Sequence, residues 1–342
     1  MNNKTKINIG VIGCGYWGPN LVRNFSKIDN CFVKYVCDKK ESRLRWIKSL
    51  YPSVCITKNY KDILKDRHVT TVVIATPTPT HFPLVREFLN TGRNVLSEKP
   101  LTNTSQEANL LVDLAQKHKK ILMVGHTYLY SPGIVKLKEI IYKRELGKII
   151  YINSIRVNLG IFQSDINVVS DLAPHDISVI NFILDKMPNY VSCTGSAHYK
   201  KDVEDVAFIN LYYPQNIITH IHLSWIDPVK IRRLTAVGSE KMAVYNDLDF
   251  DEPLKIIEKS VKKIPYYKTY GEFKMIYKFG AIHSPYIDNQ EPLYIECSHF
   301  IECILNNKQP LTSGELGLQV VRVLELLNKS LQEKGRMIKV NG

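Results

Sequence analysis

No stretch of this 342-residue chain approaches the roughly 18 to 20 consecutive apolar residues that a membrane-spanning helix needs, so no membrane partner is expected. Cysteine is sparse and unpatterned. The seven (Cys14, Cys31, Cys37, Cys55, Cys193, Cys297, Cys303) are an odd set without a C-x-x-C, which excludes a disulfide framework or a zinc ribbon as the organising device. They read as reduced, mostly buried thiols of a cytoplasmic protein. A cleavable leader is not expected either, because the basic start at residues 1–6 runs into an apolar stretch broken by Gly10 and Gly13. Acidic charge is scarce, 33 Asp and Glu against 46 Lys and Arg, for a formal net charge of +13. The basic residues nevertheless fall in short scattered pairs such as Lys39-Lys40 and Lys262-Lys263, with no helix-turn-helix or RNA-binding signature between them. That pattern argues against nucleic acid as a partner and suits attraction of small anions. His220 and His222 form a His-x-His pair, but no third ligand stands at useful spacing, so no metal is expected.

What is present begins at once. Residues 7–12 read as a short buried strand, Gly13-Cys14-Gly15-Tyr16-Trp17-Gly18 follows directly, and a helical pattern (Leu21, Val22, Phe25, Ile28) starts behind it. This is G-x-G-x-x-G in its structural setting. Gly13 permits a tight turn, Gly15 lets the backbone approach a pyrophosphate, Gly18 lets helix pack on strand, and the helix N-terminus offers N–H groups to the anion. A second strand over 33–37 ends in Asp38, twenty positions after Gly18, where a carboxylate accepts hydrogen bonds from an adenosine ribose. Tyr16 and Trp17 complete the loop.

The alternation continues with helices over 41–50 and 60–65, a β-branched strand over 70–75, the turn Thr76-Pro77 leading to His81, and a helix over 81–90 closed by Gly92. A strand over 94–97 runs into Glu98-Lys99-Pro100. A helix over 105–118 and a strand over 121–124 complete six β-units, giving a doubly wound Rossmann domain over 1–125. Over 126–342 the rhythm changes to a helix at 131–142 and strands at 151–157, 190–198, 206–213, 217–226 and 231–237, with one strong helix at 173–184. Closing helices fall at 291–305 and 315–333. The expected fold is an α/β Rossmann domain plus an α+β domain on a mostly antiparallel, open-faced sheet. Residues 247–290 read as irregular. In the strand over 217–225, Ile217, Thr219, Ile221, Leu223 and Trp225 share one face, and His220, His222 and Ser224 the other.

Two places carry candidate chemistry. Lys99 stands directly after a parallel strand, at the carboxyl edge where a nicotinamide would lie; the alternative is a solvent-exposed lysine at a strand end. Asp171 and His175 are four apart at the head of the strong helix, so a carboxylate there can orient an imidazole. The alternative makes Asp171 an N-cap and His175 a core histidine, with Pro174 in the first turn under either reading.

With these residues in hand, the chain resembles the glucose-fructose oxidoreductase/inositol dehydrogenase/rhizopine catabolism (Gfo/Idh/MocA) oxidoreductase family. The resemblance rests on the glycine motif, Ala75-Thr76-Pro77 with His81, Glu98-Lys99-Pro100, Gly125-His126 with Tyr130-Ser131-Pro132, and Asp171-x-x-x-His175, in that order over nearly the whole chain. It implies NAD(P)-dependent chemistry at a sugar carbon and assembly through the open sheet as a homodimer or homotetramer. Lys99 would polarise the reacting hydroxyl, His175 would be general acid/base and Asp171 would orient it. Thr76, Pro77, His81, Glu98, Lys99 and His126 would line the cofactor. Arg156-Val157-Asn158-Leu159-Gly160, Ser224-Trp225-x-x-Pro228-x-Lys230 and Gly238-Ser239-x-Lys241-Met242 look like members linked to bacterial surface polysaccharide synthesis, among them UDP-N-acetylglucosaminuronate 3-dehydrogenases. That likeness implies a nucleotide-sugar substrate met by Arg156, Asn158, Lys230 and Tyr286; read from the residues alone, Arg156, Asn158 and Lys230 could each equally be a strand-face residue or a surface charge. A dTDP-sugar 3-ketoreductase, a free cyclitol or sugar dehydrogenase, and a non-catalytic NAD-binding regulator are the alternatives; retained Lys99, Asp171 and His175 argue against the last. Asp38 points to NAD over NADP, although Lys39, Lys40 and Arg43 lie near enough to meet a 2′-phosphate.

Overall fold

Strand β1 (Ile7–Ile12) and helix α1 (Gly18–Phe25) open the chain in the computed structural model, which describes residues 6–160, 162–163, 166–263 and 275–340. There follow β2 (Cys31–Cys37), α2 (Glu41–Leu50), β3 (Cys55–Thr57), α3 (Tyr60–Lys65), β4 (Thr71–Ile74), α4 (His81–Asn90), β5 (Asn94–Glu98), α5 (Ser105–Lys117) and β6 (Leu122–Gly125). The strands pair in parallel in the order β3-β2-β1-β4-β5-β6. Burial on both faces explains the uninterrupted apolar runs: every residue of β4 and β6 is buried. The order reverses between β1 and β4, so the crevice for a ligand opens at the carboxyl ends of those two strands.

The chain divides into two compact units, one of residues up to 130 together with 290–322, the other of 131–289 together with residues from 323 onward. This differs from a single boundary at 125, and the cause is α8 (Pro292–Asn306). Its Leu293, Cys297, Phe300 and Ile301 are buried in the same core as Ile9, Val11, Leu21 and Phe25. The Phe25 and Phe300 rings meet edge to face at 6.5 Å. The Arg23 guanidinium donates to both carboxylate oxygens of Glu291, at 2.9 and 2.6 Å, just ahead of the helix.

The second unit holds α6 (Pro132–Tyr142), β7 (Ile149–Leu159), α7 (Val168–Leu184), β8 (Tyr190–Ser196), β9 (Val206–Tyr213), β10 (Ile217–Ser224), β11 (Ile226–Gly238), β12 (Met242–Asn246), β13 (Leu254–Lys263) and β14 (Met275–His283). Helix α9 (Gly314–Gln332) and β15 (Ile338–Lys339) end the chain. The sheet runs β14-β13-β12-β11-β7-β10-β9-β8-β15, antiparallel except for the β7–β10 pair. Burial alternates along β9 and β10 as a one-sided sheet demands, with Thr219, Ile221 and Leu223 inside. On the opposite face Phe208 stacks on His222 with ring centroids 4.6 Å apart. Ser224 departs from the alternation, being buried and accepting at its Oγ the N–H of Ile226.

Two further expectations are corrected. Within 247–290, described apart from 264–274, β13 and β14 pair as an antiparallel ribbon. On β13 Leu254, Ile256 and Ser260 are buried, whereas on β14 Ile276, Tyr277, Phe279 and Ile282 are exposed, so no inside/outside alternation marks the second strand. Helix α7 starts at Val168, five residues before the expected 173, because Asn167 caps it by accepting the Ser170 N–H at 2.9 Å. Pro174 is thus inside the helix, beyond its first turn.

Truncating Phe300 would open a cavity in a core with no room to collapse. Phe300→Ala is expected to cost about 3–5 kcal/mol, read as a lower denaturant midpoint; a loss below about 1 kcal/mol would show that α8 is not integral to the first unit's core.

Candidate active site

The glycine turn is dictated by sterics. Gly13 has φ +97°, and a Cβ there would lie 2.4 Å from the Ala75 carbonyl oxygen at the end of β4. A Cβ on Gly18 would lie 2.0 Å from the Gly13 carbonyl oxygen. Gly15 is different: its absent Cβ points into space with no atom within 4 Å. The first and last glycines are therefore required by the chain itself, and the middle one keeps a space clear. Helix α1 begins there with no side-chain cap and no acidic residue in its first turn. Tyr16 and Trp17 pack edge to face at 5.5 Å on the exposed side of the loop.

Asp38 braces this turn. Its carboxylate accepts the Cys14 N–H at 2.7 Å and the Lys40 N–H at 2.8 Å, with the Arg43 guanidinium 3.5 Å away. A carboxylate has about four lone-pair sites, so capacity for a ribose diol remains. Burial, and secondly the Asp38 charge, push the Cys14 thiol up to about 12, so it stays protonated. Open space at Gly15, uncapped N–H groups at α1 and an acceptor at Asp38 together fit a dinucleotide.

Two strand-end loops complete this side. His81 is buried at the head of α4, its ring nitrogens 2.7 Å from the Thr76 carbonyl oxygen and 2.8 Å from that of Pro100. Its side chain thus ties the loop after β4 to the loop after β5. The Thr80 hydroxyl donates to that of Thr76 at 2.6 Å beside Pro77. Lys99 follows β5 and precedes Pro100 through a cis peptide. Glu98 is buried, and burial pushes its carboxyl up to about 7 against the pull of the Lys99 charge. His126, just beyond β6, is also buried; burial and the Lys99 charge pull it down to about 3, leaving a neutral ring. Glu296, from α8, accepts the Thr127 hydroxyl at 2.7 Å and is held well above the usual carboxylate range by burial and then by Glu98.

In the second unit, α7 carries Asp171 in its first turn and His175 one turn later. With Asn167 as the cap, Asp171 is not one. Its Oδ2 accepts the Trp225 indole N–H at 3.3 Å, and Trp225 is buried, with Phe162 packed edge to face at 5.7 Å. Arg156, read from the sequence as an anion contact, is buried and donates from Nε to Asp176 Oδ2 at 2.7 Å, while Ser154 donates to Oδ1 at 2.7 Å. This network fastens β7 to α7 immediately beside His175. Asn158 is half-buried on β7, Lys230 is exposed in the bulge between Ile226 and Ile231 of β11, and Tyr286 is exposed beyond β14. Among the described residues no cluster of three metal-ligating side chains forms, and no helix is long and apolar enough to cross a membrane.

Residues 7–126 match the model of an oxidoreductase family with an NAD-binding Rossmann fold, and residues 134–244 match the GFO/IDH/MocA C-terminal domain. The chain belongs to the Gfo/Idh/MocA oxidoreductase family. Among relatives, a myo-inositol 2-dehydrogenase of Thermotoga maritima is 24% identical over 96% of this chain and 97% of its own. Other curated relatives match over a shorter stretch, this chain spanning 55% to 70% of their length. Of solved structures, GenD2 of gentamicin A biosynthesis, in complex with NAD, superposes with a TM-score of 0.83 at 20% identity, covering 99% of this chain and 97% of its own. A UDP-N-acetylglucosamine 3-dehydrogenase of Acidithiobacillus ferrooxidans does so with 0.77 at 22%, covering 96% and 98%.

In this Gfo/Idh/MocA chain two residues beside the candidate site were not read from the sequence. Trp225 was read as a strand-face residue and as part of the Ser224-Trp225-x-x-Pro228-x-Lys230 resemblance, and its N–H contact to Asp171 has no sequence signal. Glu296 is a polar residue in an amphipathic helix, ordinarily a solvent position, and only packing reveals that it is inside. Its raised pKa has a signed consequence. The stability of the protonated form is fully present below the ordinary value of 4.5 and is lost as pH rises towards the folded-state value. Glu296→Gln imitates the protonated group, so it should stabilise the protein more at pH 8 than at pH 5. Equilibrium denaturation at the two pH values measures this; an equal effect at both would mean that Glu296 is ionised in the folded protein.

Proposed function

We propose that the protein is an NAD-dependent dehydrogenase of a sugar hydroxyl, acting most specifically at C3 of a UDP-linked N-acetylated hexuronic acid in surface polysaccharide synthesis. It would work in the cytoplasm as a homodimer or homotetramer. The observation that carries the reading is Lys99 at the carboxyl end of β5, in the same unit as a glycine turn whose middle residue keeps a space open for a phosphate. NAD, when bound, accepts the hydride. The residues of the chain do the rest. Gly15 and the N-terminus of α1 hold the pyrophosphate, and Asp38 takes the ribose. Lys99 donates to the reacting oxygen, His175 takes the hydroxyl proton, and Asp171, held by the Trp225 N–H, fixes the ring for that transfer. Asn158, Lys230 and Tyr286 are the groups offered to a nucleotide-sugar, while Arg156 acts through Asp176 to hold α7 in place. The likeness to a UDP-N-acetylglucosamine 3-dehydrogenase supports a nucleotide-sugar substrate. The full-length likeness to a myo-inositol 2-dehydrogenase favours the second reading, a free cyclitol.

Positioned acid/base groups typically contribute about 10²-fold or more. Lys99→Met and His175→Asn are therefore each expected to lower kcat by roughly 10²-fold while NAD affinity, titrated by fluorescence, stays nearly intact. A His175→Asn protein that melts earlier yet turns over normally would make His175 a packing residue.

Substrate class is separable by thermal scanning with NAD present across UDP-sugars, dTDP-sugars and free polyols. A ligand at about 100 times its Kd adds about 2.7 kcal/mol, and a UDP-linked N-acetylated uronic acid is expected to raise the transition where myo-inositol and glucose do not. A shift with free polyols alone would install the cyclitol reading, and a shift with NAD alone the regulator.

A further inference from the structure

Behind Lys99 the nucleotide unit buries more acid than its reaction needs. Glu98 ends β5, its carboxylate receiving the Lys99 backbone N–H, and it pairs across the sheet with Gly125, where a Cβ would lie 3.2 Å from Glu98 Oε2. Glu296 is brought in by α8 and is 1% exposed. Thr127 satisfies its Oε2, while its Oε1 and both ring nitrogens of His126 have no hydrogen-bond partner among the described residues.

We propose that Glu98 is the residue by which this unit distinguishes oxidised from reduced cofactor: it gives up its proton when the cationic nicotinamide ring of NAD+ binds and keeps it when the neutral dihydronicotinamide ring of NADH binds, with Glu296 holding a second proton throughout. The inference rests on the cofactor reading above. The groups coupled to Glu98 are Lys99 on its own strand end and Glu296 and Cys297 on α8, while His126, beyond β6, feels the same Lys99 charge. His126 is a neutral ring and supplies no counter-charge. Cys297, raised by burial and then by Glu296, is a neutral thiol. Lys99 is the cation that acts on Glu98, and two carboxylates sharing one low-dielectric interior do not both ionise against it. Glu296, the more deeply buried, stays protonated because burial and then the Glu98 charge outweigh the downward pull of the Thr127 hydroxyl. Glu98 is then poised to ionise near neutrality, at about 7. A positive charge brought within about 4–6 Å of a carboxyl lowers its pKa by about 1–3. The pyrophosphate acts the other way, but it is common to both redox forms, so the NADH arm of an experiment subtracts it.

Calorimetric titration of the whole protein with NAD+ and with NADH, in buffers of different ionisation enthalpy from about pH 5.5 to about pH 9, counts protons exchanged on binding. NAD+ is expected to release up to about half a proton near neutrality, falling away on both sides, with several-fold less for NADH. As pH rises through this range, NAD+ should tighten relative to NADH by about the same factor by which it makes Glu98 the stronger acid. Glu98→Gln should abolish the release and Glu296→Gln should preserve it. A flat NAD+ profile, equal release by the two cofactors, release that survives in Glu98→Gln, or its loss in Glu296→Gln each overturns the inference. If Glu98→Gln does not fold, the wild-type pH profile and the NAD+/NADH contrast decide alone. Absence of binding heat with either cofactor would overturn the cofactor reading and the inference with it, whereas binding without proton exchange overturns the inference only.

Discussion

The nucleotide unit depends on how closely the ends of β1 and β4 approach one another. The chain leaves β1 so near the Ala75 carbonyl that no side chain fits at Gly13, and it re-enters a helix so near the Gly13 carbonyl that none fits at Gly18. That crowding sharpens the turn, aims the first N–H groups of α1 at the crevice and keeps Gly15 facing open space. Asp38 then locks the exit of β2 onto the same turn through the Cys14 and Lys40 N–H groups. A side chain at either crowded glycine would have to displace backbone, and Asp38, Ala75 and the N-terminus of α1 would move with it.

The same logic explains what was legible in the sequence. Five of the six parallel strands announce themselves because a strand buried on both faces has no freedom to be polar, as Thr71–Ile74 shows in four residues, whereas β3, three residues none of which is buried, was not read. The glycine spacing and Asp38 are legible because sterics and charge admit few substitutes there. Strand β14 was invisible because strand recognition uses the contrast between an inner and an outer face, and exposed Ile276, Tyr277, Phe279 and Ile282 leave none. The start of α7 was misjudged because Asn167 is one capping residue among several in that stretch, and Pro174 reads as a beginning rather than an interior position. Lys99, Asp171 and His175 were legible as chemistry-bearing types at suggestive positions. Trp225 and Glu296 were not, since a hydrogen bond made by a core residue and the burial of a helix glutamate are decided by packing between elements far apart in the chain.

Buried polar groups separate into two kinds here, and the difference bears on function. In the second unit, Asp176 is buried but satisfied by Arg156 and Ser154, and Asp205, also buried, accepts the backbone N–H groups of His198 and Tyr199. Such networks hold their charge at small net cost and fix geometry, here the seating of α7 on β7. The cluster behind Lys99 is of the other kind. Glu296 and His126 leave polar atoms without partners among the described residues, at about 1–3 kcal/mol for each unsatisfied group, and burial outweighs the Lys99 charge at Glu98 beside them.

That cost argues for what the groups do rather than for how they pack. A satisfied carboxylate is fixed in charge over the whole working range of pH, whereas one buried with too little compensation is held near its point of titration and responds to a charge arriving beside it. The nicotinamide cofactor is a ligand whose charge changes by one in the reaction it serves. A carboxyl poised in this way beneath Lys99 answers that change at its source, and the neutral His126 and protonated Glu296 leave the response to one group. The instability of the cluster and its capacity to sense the cofactor are therefore one property, both following from acid buried without enough partners to fix its charge.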